Sequence, residues 1–293
     1  MNKIMVIVLV INFFIITAVY MNSFKNNENN QEEQNIGNVI KQPIPEPSEQ
    51  PKPPPQPPET KKYEPKWTDF PPLKSIDISS GKILGDIVAH AKSGEGFASS
   101  DPCTKVHETT HGICKRESGQ QGVYCLENRM CYINYVNTTL STVSRSVPAS
   151  LHGKTYNLYL KQQQTYFESE PIYIFDEWVA YANGAACAID LTESGKYSSQ
   201  RWDTILFMRE FDVYALTLAM VAKPTDEQFK NFLGWHLERT ATLYEQARKH
   251  NNLTHQWQDE WMQKWKASPD AEELRAFTRS YLGEEWTKRT LGF

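Results

Sequence analysis

The chain has 293 residues, of which 40% are hydrophobic and 23% are charged, and its formal net charge is −4 at pH 7. This small negative charge, without a basic stripe, argues against nucleic acid as a partner. From residue 74 onward the composition is that of a globular protein, and about 220 residues are enough for one domain with a hydrophobic core.

The first segment of the chain is apolar from residue 4 to residue 21, with Asn12 and Thr17 as the exceptions. As a helix it would be about 27 Å long, which is enough to cross a bilayer. Residues 1–24 are therefore predicted to be a single-pass transmembrane anchor, with the remaining chain outside the cytoplasm. A cleaved signal peptide, and so a secreted protein, is the alternative, but the side chains after Ala18 are bulky for a cleavage site.

A polar and proline-rich linker is predicted for residues 25–73. Twelve of the 17 prolines lie between Pro43 and Pro72. Such a sequence buries too little apolar surface to fold, and its prolines favour an extended chain. We predict a disordered stalk behind the membrane anchor, whereas a proline-rich ligand for a recognition domain is the alternative for residues 51–58.

Residues 74–293 are predicted to form one α+β domain that is mostly helical and contains a small sheet. Apolar residues at helical spacing predict a helix at residues 81–92. Asp101 followed by Pro102 is a helix-start signal, and it predicts a second helix that includes residues 105–112. Strand propensity and alternation predict strands within residues 123–135 and 154–160. Further helices are predicted at residues 172–188, 202–221, 226–250, 256–266 and 270–281.

The second predicted helix contains the sequence H-E-x-x-H, formed by His107, Glu108 and His111. Residues four apart lie on one face of a helix, so both imidazoles can reach one zinc ion while Glu108 lies beside a water molecule. The alternative is a helix whose two histidines pack against a core, because the pattern constrains only three positions. Gly112 would either end this helix or let the backbone pass close to the metal.

A catalytic zinc ion normally has three protein ligands, so a third ligand is expected downstream. We predict Glu177, because a carboxylate on a second buried helix can approach the first, and Ala180, Ala182 and Gly184 are small enough for close packing. Alternatively, Asp176 and Glu177 are surface charges at the start of a helix. The other candidate ligands are Asp176, Glu168, Glu170, His152 and Glu117.

Through His107, Glu108 and His111, with Glu177 as the glutamate ligand, the chain resembles the zincin superfamily of zinc metallopeptidases, and more particularly its gluzincin branch. The metzincin pattern fails, because Cys114 and Glu117 occupy the positions of its glycine and third histidine. The resemblance implies a zincin-like catalytic domain with zinc as the cofactor. It also implies hydrolysis of peptide bonds in a peptide or protein substrate, with Glu108 as the general base.

Such a reaction usually needs an additional hydrogen-bond donor for the oxyanion. The candidates are Tyr156, Tyr159, Tyr166, Tyr173 and Tyr181. Tyr181 is the predicted donor because it shares a helix with Glu177. Asn183, on the same helix, could instead orient a ligand histidine.

The five cysteines, at positions 103, 114, 125, 131 and 187, would form disulfides in an exported protein. Cys125 and Cys131 could close a hairpin, and one cysteine would stay unpaired. A zinc site made of cysteines is the competing interpretation, although no C-x-x-C pair is present.

Two other functions fit the same sequence. One is a membrane-tethered structural or binding module, in which the motif is accidental or its zinc ion is structural. A structural zinc ion would be closed by four ligands, including Cys103 or Cys114. The other function is that of a zinc amidase acting on cell-wall peptides.

Overall fold

The computed structural model describes residues 61–293, which form a mostly helical α+β structure with a four-stranded antiparallel sheet. The fold class predicted from the sequence is therefore confirmed at this level. The helices are α1 (Lys82–His90), α2 (Pro102–Ile113), α3 (Leu140–Ser146), α4 (Gln164–Phe167), α5 (Tyr173–Glu193), α6 (Trp202–Ala222), α7 (Glu227–Ala247), α8 (Gln256–Ala267), α9 (Glu272–Leu282) and α10 (Glu284–Leu291). The strands are β1 (Thr68–Asp69), β2 (Lys115–Glu117), β3 (Gln120–Tyr124) and β4 (Arg129–Asn134).

Three strands of the sheet, β2 to β4, come directly after the helix that carries the H-E-x-x-H sequence, whereas β1 precedes it. The strand order of the sheet is β1-β4-β3-β2, and each neighbouring pair is antiparallel. β3 and β4 form a hairpin in which Val123 pairs with Cys131. β2 begins one residue after Cys114, which caps the end of α2, so the sheet fixes the position of that end of the helix.

Helix α5 is the central helix of the described structure. It packs against α1, α2, α6 and α7, and 15 of its 21 residues are buried. Burial on several sides explains why its sequence is apolar around most of its circumference. The indole of Trp178 donates a 2.8 Å hydrogen bond to Asp212 of α6, which satisfies a buried polar group between the two helices.

The strand predicted at residues 154–160 is wrong, because Asn157–Gln162 form a π-helix. Tyr156, Leu158 and Leu160 alternate with polar residues in the sequence, which suggested a strand. In the structure Tyr156, Tyr159 and Leu160 are buried, whereas Leu158 is only half-buried. Burial at positions i, i+3 and i+4 is the helical pattern. Tyr159 thereby points into the domain.

Residues 61–73, which the sequence analysis assigned to the linker, contact the domain. Tyr63 is 3% exposed, donates a hydrogen bond to the carbonyl of Leu282, and packs edge-on against Trp286. Strand β1 pairs with β4 a few residues later. Residues 61–73 therefore pack with the folded domain, whose start was predicted at residue 74.

The predictions made for residues 1–60 lie outside the described residues. They comprise the membrane anchor at residues 1–24 and most of the proline-rich linker. Within residues 61–293, no helix is both long enough and apolar enough to cross a bilayer.

Gly234 of α7 provides a test of how Tyr63 packs, because a Cβ added there would lie 2.3 Å from Cγ of Tyr63. Alanine stabilises a helix by about 1 kcal/mol relative to glycine, whereas overpacking costs about 1–3 kcal/mol. We expect Gly234→Ala to lower the free energy of unfolding in the wild type. In a Tyr63→Ala background it should raise that free energy by about 1 kcal/mol. Urea denaturation measures both, and equal effects in the two backgrounds would contradict this packing.

Candidate metal centre

Helix α2 begins at the cap that the sequence predicted. The Asp101 carboxylate accepts a 2.7 Å hydrogen bond from the backbone N–H of Thr104. Gly112 does not end the helix, which continues to residue 113. A Cβ at Gly112 would lie 2.7 Å from the carbonyl oxygen of Glu95, so this glycine lets the preceding loop pass close to the helix. The helix is therefore continuous past His111.

Helix α5 runs antiparallel to α2 in close contact. Near its middle, a Cβ at Gly184 would be 3.7 Å from Cβ of His107. One turn earlier, the ring of Tyr181 packs edge-on against His107, with ring centroids 4.3 Å apart. One turn earlier again, Glu177 lies beside His111. The small residues of α5 thus allow the close approach that the sequence suggested.

Three donor atoms from these two helices form a compact triangle. The Nε2 atoms of His107 and His111 are 3.2 Å apart, and Oε2 of Glu177 lies 3.6 Å from the first and 3.4 Å from the second. Zinc bonds of about 2.0–2.1 Å in tetrahedral geometry separate ligand atoms by about 3.3–3.4 Å. The three distances bracket this value, so the predicted group His107, His111 and Glu177 could hold one metal ion.

The Oε2 atom of Glu177 supports this assignment independently. It is buried and has no hydrogen-bond partner among residues 61–293. A buried carboxylate oxygen without a partner is unfavourable unless a positive charge compensates it. Although burial opposes a charge on His111, the carboxylates of Glu177 and Asp176 raise its pKa well above the usual value. A proton on His111 thus offsets one of the two carboxylate charges, and a metal ion would displace that proton.

Asp176 approaches the other ring nitrogen of His111. Its Oδ1 lies 3.2 Å from Nδ1, a position that favours a proton on Nδ1 and leaves Nε2 facing the donor triangle. From the sequence, Asp176 is a rival ligand, and Asn183 is a residue that could orient a ligand histidine. Asn183 instead donates hydrogen bonds to Thr110 Oγ1 and to the carbonyl of Tyr124. Asp176 is therefore the residue that contacts a ligand histidine from outside the triangle.

Glu108 faces the same group of charges from α2. Burial raises its pKa to about 7, and the carboxylates of Glu177 and Asp176 act in the same direction, whereas His111 opposes them. In the described part of the chain, its Oε1 atom is buried without a hydrogen-bond partner. A carboxylate with a pKa near neutrality can accept a proton and release it again, which is what a general base requires.

Tyr181, which packs against His107, contacts a second buried tyrosine, Tyr159. The hydroxyl of Tyr181 is 2.8 Å from the hydroxyl of Tyr159, and burial raises the pKa of both well above the usual value, so both remain protonated. Tyr156 and Tyr173 bind backbone carbonyls with their hydroxyls, and Tyr166 is exposed. Tyr181 is thus close to the site, and its role as a donor stays a prediction.

The other candidate ligands do not belong to the donor group formed by the described residues. Glu168 accepts hydrogen bonds at the start of α3, and Glu170 forms an ion pair with an arginine. His152 stacks on a tyrosine ring, and Glu117 lies in β2.

All five cysteines are free thiols in the structure, so the predicted disulfide between Cys125 and Cys131 is absent. In the β3–β4 register Cys131 pairs with Val123 rather than with Cys125. Cys131 Sγ accepts a 3.0 Å hydrogen bond from Gln228, whereas Cys125 Sγ is directed to the carbonyl of Val123. Neither cysteine belongs to the metal-binding group within residues 61–293.

Comparison with known proteins gives no match to a family model, to a curated protein or to a solved structure. The resemblance to zincins therefore stays a prediction from the H-E-x-x-H motif.

Proposed function

We propose that this protein is a membrane-anchored, zinc-dependent metallopeptidase with a zincin-like catalytic domain. The observation that carries the proposal is the triangle formed by His107, His111 and Glu177, with Glu108 on the next position of the same helix. Three protein ligands are typical of catalytic zinc, whereas structural zinc has four. The donor group contains no cysteine from the described part of the chain. These features favour a catalytic site over a structural one.

The proposed reaction is hydrolysis of a peptide bond by a water molecule. Zinc bound by the three ligands would polarise the peptide carbonyl and lower the pKa of the water. Glu108 accepts the proton that the water loses as it attacks the carbonyl carbon, and then returns it to the leaving nitrogen. Asp176 holds the ring of His111 with Nε2 towards the triangle. Tyr181 donates a hydrogen bond to the oxyanion.

The three donor side chains differ in their exposure to solvent. The side chains of His111 and Glu177 are 24% and 18% exposed, whereas that of His107 is 8% exposed. A substrate would therefore approach on the side of His111 and Glu177, with His107 as the inner ligand. The apolar residues 4–21 and the proline-rich linker support a location outside the cytoplasm, at a distance from the membrane.

A peptide-library assay tests the proposal. Full-length protein in detergent is loaded with zinc and incubated with a mixed peptide library, and new termini are identified by mass spectrometry. We expect cleavage within peptides, its loss after treatment with a zinc chelator, and its recovery on addition of zinc. Cleavage of cell-wall peptides alone would indicate the amidase. Bound zinc without hydrolysis of either substrate would contradict the proposal and favour a structural module.

A further inference from the structure

Cys103 and Cys187 face each other across the contact between α2 and α5, beyond the metal-binding group. The antiparallel register that sets Tyr181 against His107 continues along both helices. A Cβ at Gly184 would be 3.4 Å from the carbonyl oxygen of Cys103, and Cys187 lies on the next turn of α5. Each thiol shifts the pKa of the other, as expected for two neighbouring sulfurs. They are 1% and 0% exposed, so this is a buried pair between two helices.

The surroundings make Cys103 the more nucleophilic member of the pair. It is the second residue of α2, where the helix N-terminus favours a thiolate. The neighbouring Cys187 thiol lowers its pKa, and the Arg201 guanidinium and the Tyr197 hydroxyl act in the same direction, against burial and the charge of Asp101. The Cys103 thiol, together with burial, raises the pKa of Cys187.

The other cysteines lack this combination of features. Burial raises the pKa of Cys125 to about 12, and it also raises the pKa values of Cys114 and Cys131. Cys125 and Cys131, the pair suggested by the sequence, are directed to different partners in the hairpin. Thiolate character and a neighbouring thiol therefore coincide at Cys103 and Cys187.

We propose that a disulfide joins Cys103 to Cys187 when the chain folds in an oxidising compartment, and that this bond fastens α2 to α5 beside the metal-binding group. Because both sulfurs are buried in the folded domain, the oxidant reaches Cys103 when this end of the contact between α2 and α5 opens. The donor residues His107, His111 and Glu177 all lie within the loop that the bond closes. This loop is long, and closing it restricts the unfolded chain.

The oxidant is a small disulfide such as oxidised glutathione. The Cys103 thiolate attacks one of its sulfurs, the small disulfide bond breaks, and one thiolate leaves. Cys187 then loses its proton and attacks the Cys103 sulfur of the mixed disulfide, which releases the second thiolate. The two protein thiols lose two electrons and two protons in total, and the small disulfide gains them as two thiols.

Disulfide mapping tests the proposal directly. Full-length protein is isolated from the host that makes it, its thiols are blocked with N-ethylmaleimide in denaturant, and it is digested without a reductant. We expect one linked peptide pair that contains Cys103 and Cys187, and alkylated Cys114, Cys125 and Cys131. Five alkylated cysteines, or a link between Cys125 and Cys131, would overturn the proposal. The proposal rests on the proposed location outside the cytoplasm, but zinc content and hydrolysis do not enter this measurement, so its failure is distinguishable from a failure of the proposed reaction.

A thermal unfolding experiment tests the effect of the bond. Metal-free wild type is expected to have a Tm about 10 °C higher in oxidised glutathione than after reduction. The difference should vanish in Cys103→Ala and persist in the matched control Cys125→Ala, which removes an equally buried thiol. Comparing the two redox conditions within each variant cancels the packing effect of the substitution. A wild-type Tm that does not change on reduction would contradict the proposed bond.

Discussion

Replacement of Glu177 by alanine is expected to remove zinc from a protein that remains folded. The wild type should bind about one zinc ion per chain through the triangle with His107 and His111. Loss of one ligand should weaken zinc binding by more than about 100-fold, since even contacts outside the ligand set contribute 10–100-fold. His107→Ala and His111→Ala should behave alike. Zinc content after dialysis against a zinc buffer, measured by atomic emission, gives the result.

Glu170→Ala is the matched control for this experiment. Glu170 is a partly exposed glutamate that pairs with Arg116 outside the donor group, so its loss should leave zinc binding unchanged. Asp176→Ala should weaken zinc binding by about 10–100-fold, an effect between those of Glu170→Ala and Glu177→Ala. The metal-free Glu177→Ala protein should still fold, because Asp176 stays beside His111 as its second carboxylate partner. Wild-type zinc affinity in Glu177→Ala would contradict the three-donor site.

The three residues of the donor triangle could be predicted from the sequence because each depends on local rules. The cap at Asp101 and the four-residue spacing of His107 and His111 fix the first two donors on one helix face. Glu177 could be predicted because the small residues that follow it indicated a helix able to pack closely. These signals require only the periodicity of a helix and the sizes of its side chains.

The surroundings of the ligands depend on the register between α2 and α5, which no local pattern encodes. That register sets Tyr181 against His107 and brings Cys187 to Cys103, although the two cysteines are far apart in the sequence. Asp176 could have been suspected as the contact of His111, because it precedes Glu177 on the same helix. Tyr159 was assigned to a strand because alternating apolar residues imitate one, whereas burial in the folded domain favours the helical pattern.

Glu108→Gln is expected to keep zinc and to lose hydrolysis. Glutamine has the size of glutamate but cannot accept a proton from the attacking water, and it is not one of the three donor residues. The loss of a general base lowers kcat by about 10²–10⁴-fold. Zinc content and kcat on a peptide found in the library assay measure the two effects separately. A zinc-loaded variant without activity would distinguish Glu108 from the ligands, whose loss removes zinc as well.

Tyr181→Phe serves as the comparison, because it removes one hydroxyl and leaves both Glu108 and the ligands in place. It should retain zinc and lower kcat by about 10²–10³-fold if Tyr181 donates to the oxyanion. Tyr159→Phe should have a smaller effect, because Tyr159 contacts Tyr181 through its hydroxyl and acts only through it. Wild-type kcat in Glu108→Gln would contradict its role as the base. Loss of zinc from that variant would instead mean that Glu108 holds the metal, and the donor triangle would then need a fourth member.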